Sequence, residues 1–139
     1  MILYLDTSAL IKLFIHEAHS EQVGGAAGAA KGLACSSLGF VETHAAFARL
    51  AREGLLSATT HRARATAFDR AWKDFIVVEA STRLIEQAAR LVAPHALRGF
   101  DAVHLASALE IFHAVPKMQF ACYDERLAAA ARNLGLDGI

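Results

Sequence analysis

Short apolar runs alternate along the chain with longer segments of helical periodicity. The first run, Ile2–Leu5, has four apolar residues in succession, which is too short for a helix and typical of a strand buried on both faces. Similar runs at 33–36, 75–78 and 119–122 predict three further strands, and 136–139 predicts a marginal edge strand. Because helical segments separate the strands, the pattern predicts an α/β fold in which helices cover both faces of a parallel sheet.

Capping residues, glycines and prolines mark the predicted helices. These helices cover residues 9–14, 20–31, about 37–53, 58–72, 82–92, 101–109 and 125–133. Thr7 and Ser8 are expected to cap the first helix, and Gly54 is expected to follow the end of the third. Pro94 is expected to end the fifth helix, and Pro116 to close the loop before the fourth strand.

Four acidic residues stand where strands end or helices begin. Asp6 and Asp124 directly follow predicted strands, whereas Glu42 and Asp101 lie near the beginnings of helices that leave the same edge of the sheet. Each acid by itself is also explained as a helix cap or as a partner of the helix dipole. His104 shares a helix face with Asp101, and we expect it to be a core or surface histidine because no second histidine stands at metal-binding spacing.

Together, the four carboxylates predict a metal site. The carboxyl ends of parallel strands meet at one edge of a sheet, which is where ligands bind in such folds. Carboxylates packed together repel one another unless a cation compensates their charge. Oxygen ligands suit Mg²⁺ or Mn²⁺, and such an ion can activate water for phosphodiester hydrolysis.

The length and composition of the chain limit the classes of protein to which it can belong. A length of 139 residues predicts a single domain covering 1–139, and a hydrophobic content of 55% excludes disorder and leaves apolar surface for a partner. Basic and acidic residues balance at 14 each, so nucleic-acid binding would depend on local patches. Cys35 and Cys122 are not in zinc-binding spacing, and neither a signal peptide nor a membrane-spanning run is evident. We therefore expect a soluble, cytoplasmic protein with reduced thiols.

The densest basic segment is the hairpin formed by the third and fourth predicted helices. Its basic residues are Arg49, Arg52, Arg62, Arg64, Arg70 and Lys73. This hairpin is a candidate surface for contact with RNA phosphates. An ordinary solvated helix surface remains the alternative explanation.

Four segments together resemble the PIN domain, specifically the VapC-type toxins. They are YLDTSALIKL from Tyr4, FVETHAAFAR around Glu42, RGFDAVHLA around Asp101 and YDERL around Asp124, in an order and spacing that span essentially the whole chain. The resemblance implies a three-layer α/β/α fold with strand order 3-2-1-4-5. It also implies a metal-dependent endoribonuclease whose Asp6, Glu42, Asp101 and Asp124 hold Mg²⁺ or Mn²⁺ and activate water.

The same resemblance implies supporting residues and partners. Thr7 or Ser8 would support the metal site through hydrogen bonds. A cognate VapB-like antitoxin would block the site, the complex would bind operator DNA through the antitoxin, and the toxin would form a homodimer. One departure concerns Cys122, which stands two residues before the fourth acid where the family commonly has Thr or Ser. Because a thiol is a weaker hydrogen-bond donor, we expect weaker support of Asp124.

Two other functions are compatible with the acids. One is a Mg-dependent aspartyl phosphatase or phosphotransferase with Asp6 as the nucleophile. Such enzymes generally carry a second Asp two residues later, where this chain has Ser8. The other is a non-catalytic PIN-like binding module whose acids serve only as helix caps.

Overall fold

The core of the fold is a parallel sheet. The computed structural model describes residues 1–115 and 117–139, so Pro116 and the loop closure predicted for it lie outside the described residues. The strands are β1 (Ile2–Leu5), β2 (Gly32–Ser36), β3 (Ile76–Val78), β4 (Met118–Ala121) and β5 (Asp137–Gly138). All their pairings are parallel and their order is β3-β2-β1-β4-β5, which confirms the order implied by the resemblance.

Helices cover both faces of this sheet. They are α1 (Thr7–Leu10), α2 (Ser20–Ala29), α3 (Leu38–Arg52), α4 (Ala58–Trp72), α5 (Thr82–His95), α6 (Gly99–Ala114) and α7 (Glu125–Asn133), and a 3₁₀ turn at Ile11–Leu13 follows α1. Successive residues of β1 point to opposite faces: Tyr4 packs with α5, α6 and α7, whereas Leu3 and Leu5 pack with α1 to α4. The predicted three-layer α/β/α architecture is therefore confirmed. Within the part of the chain that the structure describes, no helix combines the length and apolar character that crossing a membrane requires.

The first helix begins earlier than predicted and has a different cap. The carboxylate of Asp6 accepts a hydrogen bond from the Ala9 N–H at 2.9 Å, so Asp6 caps α1, and the prediction that Thr7 and Ser8 cap it is wrong. A short side chain that can bond the backbone three residues on satisfies an N–H that the helix itself leaves unpaired.

The prediction that Pro94 ends the fifth helix is also wrong. Helix α5 includes Pro94 and ends at His95, where Ala96 adopts a left-handed conformation with φ 51°. Proline removes one N–H donor, and in the last turn that loss concerns a single hydrogen bond. Helix α6 likewise extends beyond the predicted 101–109, because Ile111 continues its buried face.

Candidate active site

Asp6 lies at the carboxyl end of β1, next to β4 in the sheet. Leu5 pairs with Ala121, and the Asp6 N–H donates to the Ala121 carbonyl at 3.1 Å. The Oδ1 atom of Asp6 accepts hydrogen bonds from Ser8 Oγ at 2.7 Å and from the Ala9 N–H. Its Oδ2 accepts none from any residue that the structure describes.

The Asp6 carboxylate is a buried charge. The residue is only 4% exposed, and this burial raises the pKa of its carboxyl. His104 and the hydrogen bonds from Ser8 and Ala9 act in the opposite direction, while the nearby Asp101 raises the pKa further. A cation close to Oδ2 would therefore stabilise the ionised form.

Asp101 and Asp124 are bridged by a guanidinium group. Arg98 Nε lies 3.0 Å from Asp101 Oδ2, and Arg98 Nη2 lies 3.3 Å from Asp124 Oδ2. Asp124 also caps α7, since its Oδ1 accepts from the Leu127 N–H at 2.9 Å. Because the Arg98 side chain is 77% exposed, these ion pairs are weak and the guanidinium is easily displaced.

Glu42 lies in the first turns of α3, close to β2. Gly39 allows this approach, because a Cβ at that position would overlap Cys35 Sγ. Two donors meet at one oxygen of Glu42: Thr7 Oγ1 and His104 Nε2 each lie 2.8 Å from Oε1. Burial by itself raises the pKa of Glu42, but His104 and the Thr7 hydrogen bond outweigh it and the pKa lies below its ordinary value.

The predicted supporting residues make contacts with different acids. Thr7 binds Glu42, whereas Ser8 binds Asp6 and accepts the Tyr123 N–H at 3.0 Å. Ser8 thus ties the segment after β4 to the segment after β1. Cys122 Sγ lies 3.4 Å from the backbone oxygen of Asp124, so its thiol supports the backbone beside the carboxylate.

An open cleft is lined by three of the four acids, Glu42, Asp101 and Asp124. Arg98 and Asp101 line both of its parts: one of about 690 Å³ shared with Asp124 and Arg126, and one of about 550 Å³ shared with Glu42. Arg98 and Arg126 are thus the basic side chains that line the cleft beside the acids.

The donor set fits a hard cation. Glu42 Oε2 and Asp101 Oδ1, like Asp6 Oδ2, accept no hydrogen bond from the described part of the chain. Each of these three acids therefore keeps one oxygen available for an ion that prefers oxygen ligands. Among residues 1–115 and 117–139, no three His, Cys, Asp or Glu side chains are grouped closely enough to hold a metal ion as they stand.

The six basic residues of the hairpin are all exposed, and none of them is among the residues that line the two parts of this cleft. Arg49 follows Glu42 by seven residues on the same face of α3, which places it about 10 Å further along the helix axis. RNA contact by the hairpin stays a prediction.

Two residues at the site were not assigned by the sequence. Arg98 was present only as part of a motif, and His104 was expected to be an ordinary core or surface histidine. Their spacing carried a signal, because Asp101 and His104 are three residues apart on one face of α6, and Arg98 precedes Asp101 by three residues as the N-cap of that helix. The contacts of His104 with Glu42 and of Arg98 with Asp124 join distant segments, and no local pattern indicates them.

Comparison with known proteins agrees with this arrangement. Residues 3–133 match the PIN domain family. The chain belongs to this family. It is 36% identical over 138 residues to the ribonuclease VapC45 of Mycobacterium tuberculosis, with 96% of this chain and 92% of that protein aligned. This PIN domain is therefore of the VapC type, as the four motifs predicted.

Solved structures share the fold of this PIN domain. The crystal structure of VapC20 from M. tuberculosis, described as a toxin that cleaves the sarcin–ricin loop, superposes with a TM-score of 0.66 at 19% identity over 92% of this chain and 94% of that one. VapBC2 from Rickettsia felis, bound to a DNA fragment from its promoter, gives a TM-score of 0.67 at 12% identity over 100% of this chain and 99% of that one. The predicted fold class is confirmed on this basis as well.

Proposed function

We propose that this PIN-domain protein is a metal-dependent endoribonuclease and the toxin of a type II toxin–antitoxin system. The observation that carries the proposal is the set of four carboxylates, Asp6, Glu42, Asp101 and Asp124, at the carboxyl edge of a VapC-type fold. Each of them is held through at least one oxygen, and three keep the other oxygen available. The ribonuclease name of VapC45 supports the same activity.

Asp6, Glu42, Asp101 and Asp124 would hold Mg²⁺ or Mn²⁺, which when bound supplies activation of water and neutralises the leaving oxygen. Glu42 is ionised and ready to bind, because its lowered pKa favours the carboxylate. Asp6 gains most from a cation, since burial disfavours its charge. Arg98, when it leaves Asp101 and Asp124, is placed at the cleft to contact an RNA phosphate together with Arg126.

The test is cleavage of a mixed small-RNA pool by the purified protein with Mn²⁺, beside an EDTA control. Asp74→Asn, which changes an exposed carboxylate outside the cleft, serves as the matched variant. We expect cleavage by the wild type and by this variant only when the metal is present. Mn²⁺ at a hundred times its dissociation constant should stabilise the fold by about 2.7 kcal/mol, which raises Tm by roughly 8 to 12 °C.

The competing functions give different results in the same experiment. Asp6 and Asp124 do cap α1 and α7, so the binding-module alternative accounts for their local contacts. That alternative is favoured if Mn²⁺ changes neither RNA cleavage nor Tm. The aspartyl phosphatase alternative is favoured if beryllium fluoride with Mg²⁺ forms an adduct on Asp6.

We also propose a VapB-like antitoxin, homodimer formation, and operator DNA binding only through the antitoxin complex. The toxin–antitoxin complexes among proteins of the same fold support this assignment. Two exposed apolar side chains flank the site, Val41 at 62% and Phe100 at 59% exposure, and a partner that covers the cleft would bury them. Light scattering of the protein alone and with a co-expressed antitoxin measures both assemblies.

The basic hairpin is proposed to bind the RNA backbone. Replacing Arg62 and Arg64 together by Ala should weaken RNA binding and lower the slope of log affinity against log salt by about 1.4 for a single strand. Exposed arginines Arg83 and Arg90 on α5 provide a matched double variant. Equal loss in both doubles, or an unchanged slope for the hairpin double, would count against a dedicated RNA surface on α4.

A further inference from the structure

We infer that His104 is a positioning residue for Glu42, holding the carboxylate through Nε2 while Tyr4 holds the ring through Nδ1. The inference rests on the proposed function, because it concerns how one of the proposed metal ligands is held. It goes further by assigning a role to a histidine that is fully enclosed by the protein.

The contacts of His104 link two layers of the fold to the site. The residue is 2% exposed on α6, and its Nδ1 lies 2.9 Å from the Tyr4 hydroxyl. Its Nε2 lies 2.8 Å from Glu42 Oε1 and 3.3 Å from Thr7 Oγ1. The buried His104 ring on α6 therefore connects Tyr4 on β1 with Glu42 on α3.

The direction of the hydrogen bonds follows from the Tyr4 hydroxyl. This oxygen accepts the Ser36 N–H at 3.1 Å, and its own single proton can then be donated to His104 Nδ1. A ring that accepts at Nδ1 carries its proton on Nε2. That proton points at Glu42 Oε1, so the tautomer suited to hold Glu42 is selected by the backbone of β2 through Tyr4.

As a consequence, the two carboxylate oxygens of Glu42 differ in their availability to a metal ion. His104 and Thr7 both donate to Oε1, which leaves Oε2 for a cation. A carboxylate fixed in this way loses little further freedom when it binds a metal. Groups that orient metal ligands typically contribute about 10- to 100-fold to metal affinity.

A pair of substitutions separates positioning from core packing. In His104→Gln, the side-chain NH₂ occupies the place of Nε2 and can donate to Glu42, but the acceptor for Tyr4 is lost. In His104→Asn, the amide occupies the place of Nδ1 and can accept from Tyr4, but nothing reaches Glu42. We expect the Asn variant to bind Mn²⁺ about 10- to 100-fold more weakly than the wild type, and the Gln variant to remain within about threefold of it.

Mn²⁺ affinity is measured by calorimetry or by the electron paramagnetic resonance signal of free Mn²⁺, with Tm recorded for each variant. Equal affinity in both variants, whether retained or lost, overturns the inference, because the ring then serves packing alone. Absence of Mn²⁺ binding by the wild type overturns the proposed function itself, which distinguishes the two failures.

A measurement on the unmodified protein keeps the inference testable even if a variant fails to fold. The ¹⁵N shifts of the His104 ring identify which nitrogen carries the proton. We expect Nε2 to carry the proton that is donated to Glu42, and Nδ1 to act as the acceptor for Tyr4. A proton on Nδ1 contradicts the proposed direction of the hydrogen bonds.

Discussion

Replacing Asp6 by Asn is expected to reduce RNA cleavage by roughly a hundred- to a thousandfold, the range for loss of one preorganised electrostatic group. The same change is expected to make the metal-free protein more stable. The Asn side chain keeps the Oδ1 acceptor for Ser8 and Ala9, so the cap of α1 is preserved. It removes the charge that burial disfavours and the oxygen proposed to bind metal. We expect a gain of about 1 kcal/mol, or about 3 to 5 °C in Tm.

The gain in stability should depend on pH in a defined direction. Because the pKa of Asp6 is raised in the folded state, the protonated carboxyl is favoured there. The free energy of unfolding therefore falls as pH rises from the unfolded pKa of about 3.9 through the folded one. The Asn variant lacks this fall, so the difference in Tm between variant and wild type should be small at low pH and increase towards neutral pH.

RNA cleavage is measured with Mn²⁺, and thermal unfolding is measured in EDTA from low pH to neutral pH. Asp74→Asn again controls for the loss of one carboxylate. Full cleavage by the Asp6 variant would exclude the proposed mechanism. A Tm difference that is largest at low pH would contradict the assignment of Asp6 as a buried, disfavoured charge.

The second large effect is expected for Tyr4→Phe. Tyr4 is fully buried, and its hydroxyl is the acceptor for the Ser36 N–H and the partner of His104 Nδ1. Its removal leaves a buried donor and a buried acceptor unsatisfied, at about 1 to 3 kcal/mol each. We expect the free energy of unfolding to fall by about 2 to 6 kcal/mol and Tm to fall by roughly 8 to 24 °C.

Tyr123→Phe is the matched control for this change. The Tyr123 hydroxyl donates to Gln22 at 2.7 Å in an exposed setting, where water can replace the partner. Its removal should change the free energy of unfolding by less than about 0.5 kcal/mol. The free energy of unfolding of both variants is measured by denaturant unfolding. Similar losses in the two variants would show that the hydrogen bonds of the Tyr4 hydroxyl stabilise the fold no more than those of an exposed hydroxyl.

The sequence predicted the parts of the fold that depend on local pattern. Four apolar residues ending at Asp6 marked β1, and Gly54 was expected after α3, where it has φ +75°. The strand order came from the family resemblance, because alternation of strands and helices is compatible with several orders. Pro94 was misread because a residue that disrupts a helix interior is tolerated in its last turn.

The acids of the candidate site were accessible to sequence reasoning, whereas their partners were not. Asp6 and Asp124 stand at strand ends, which is a local property. The contact between His104 and Glu42 joins residues 62 positions apart, and Arg98 reaches Asp124 across 26 positions. Such pairs depend on how α3, α6 and α7 pack, which the sequence alone did not determine.

The central position of β1 has a consequence for synthesis. An emerging chain presents β1 long before β4, and the pairing of Leu5 with Ala121 must wait for almost the whole domain. Contacts so distant along the chain form slowly, because a long loop must close first. A ribonuclease assembled in this way has no complete set of acids until Asp124 has left the ribosome, so the proposed toxin would be inert beside the RNA that encodes it.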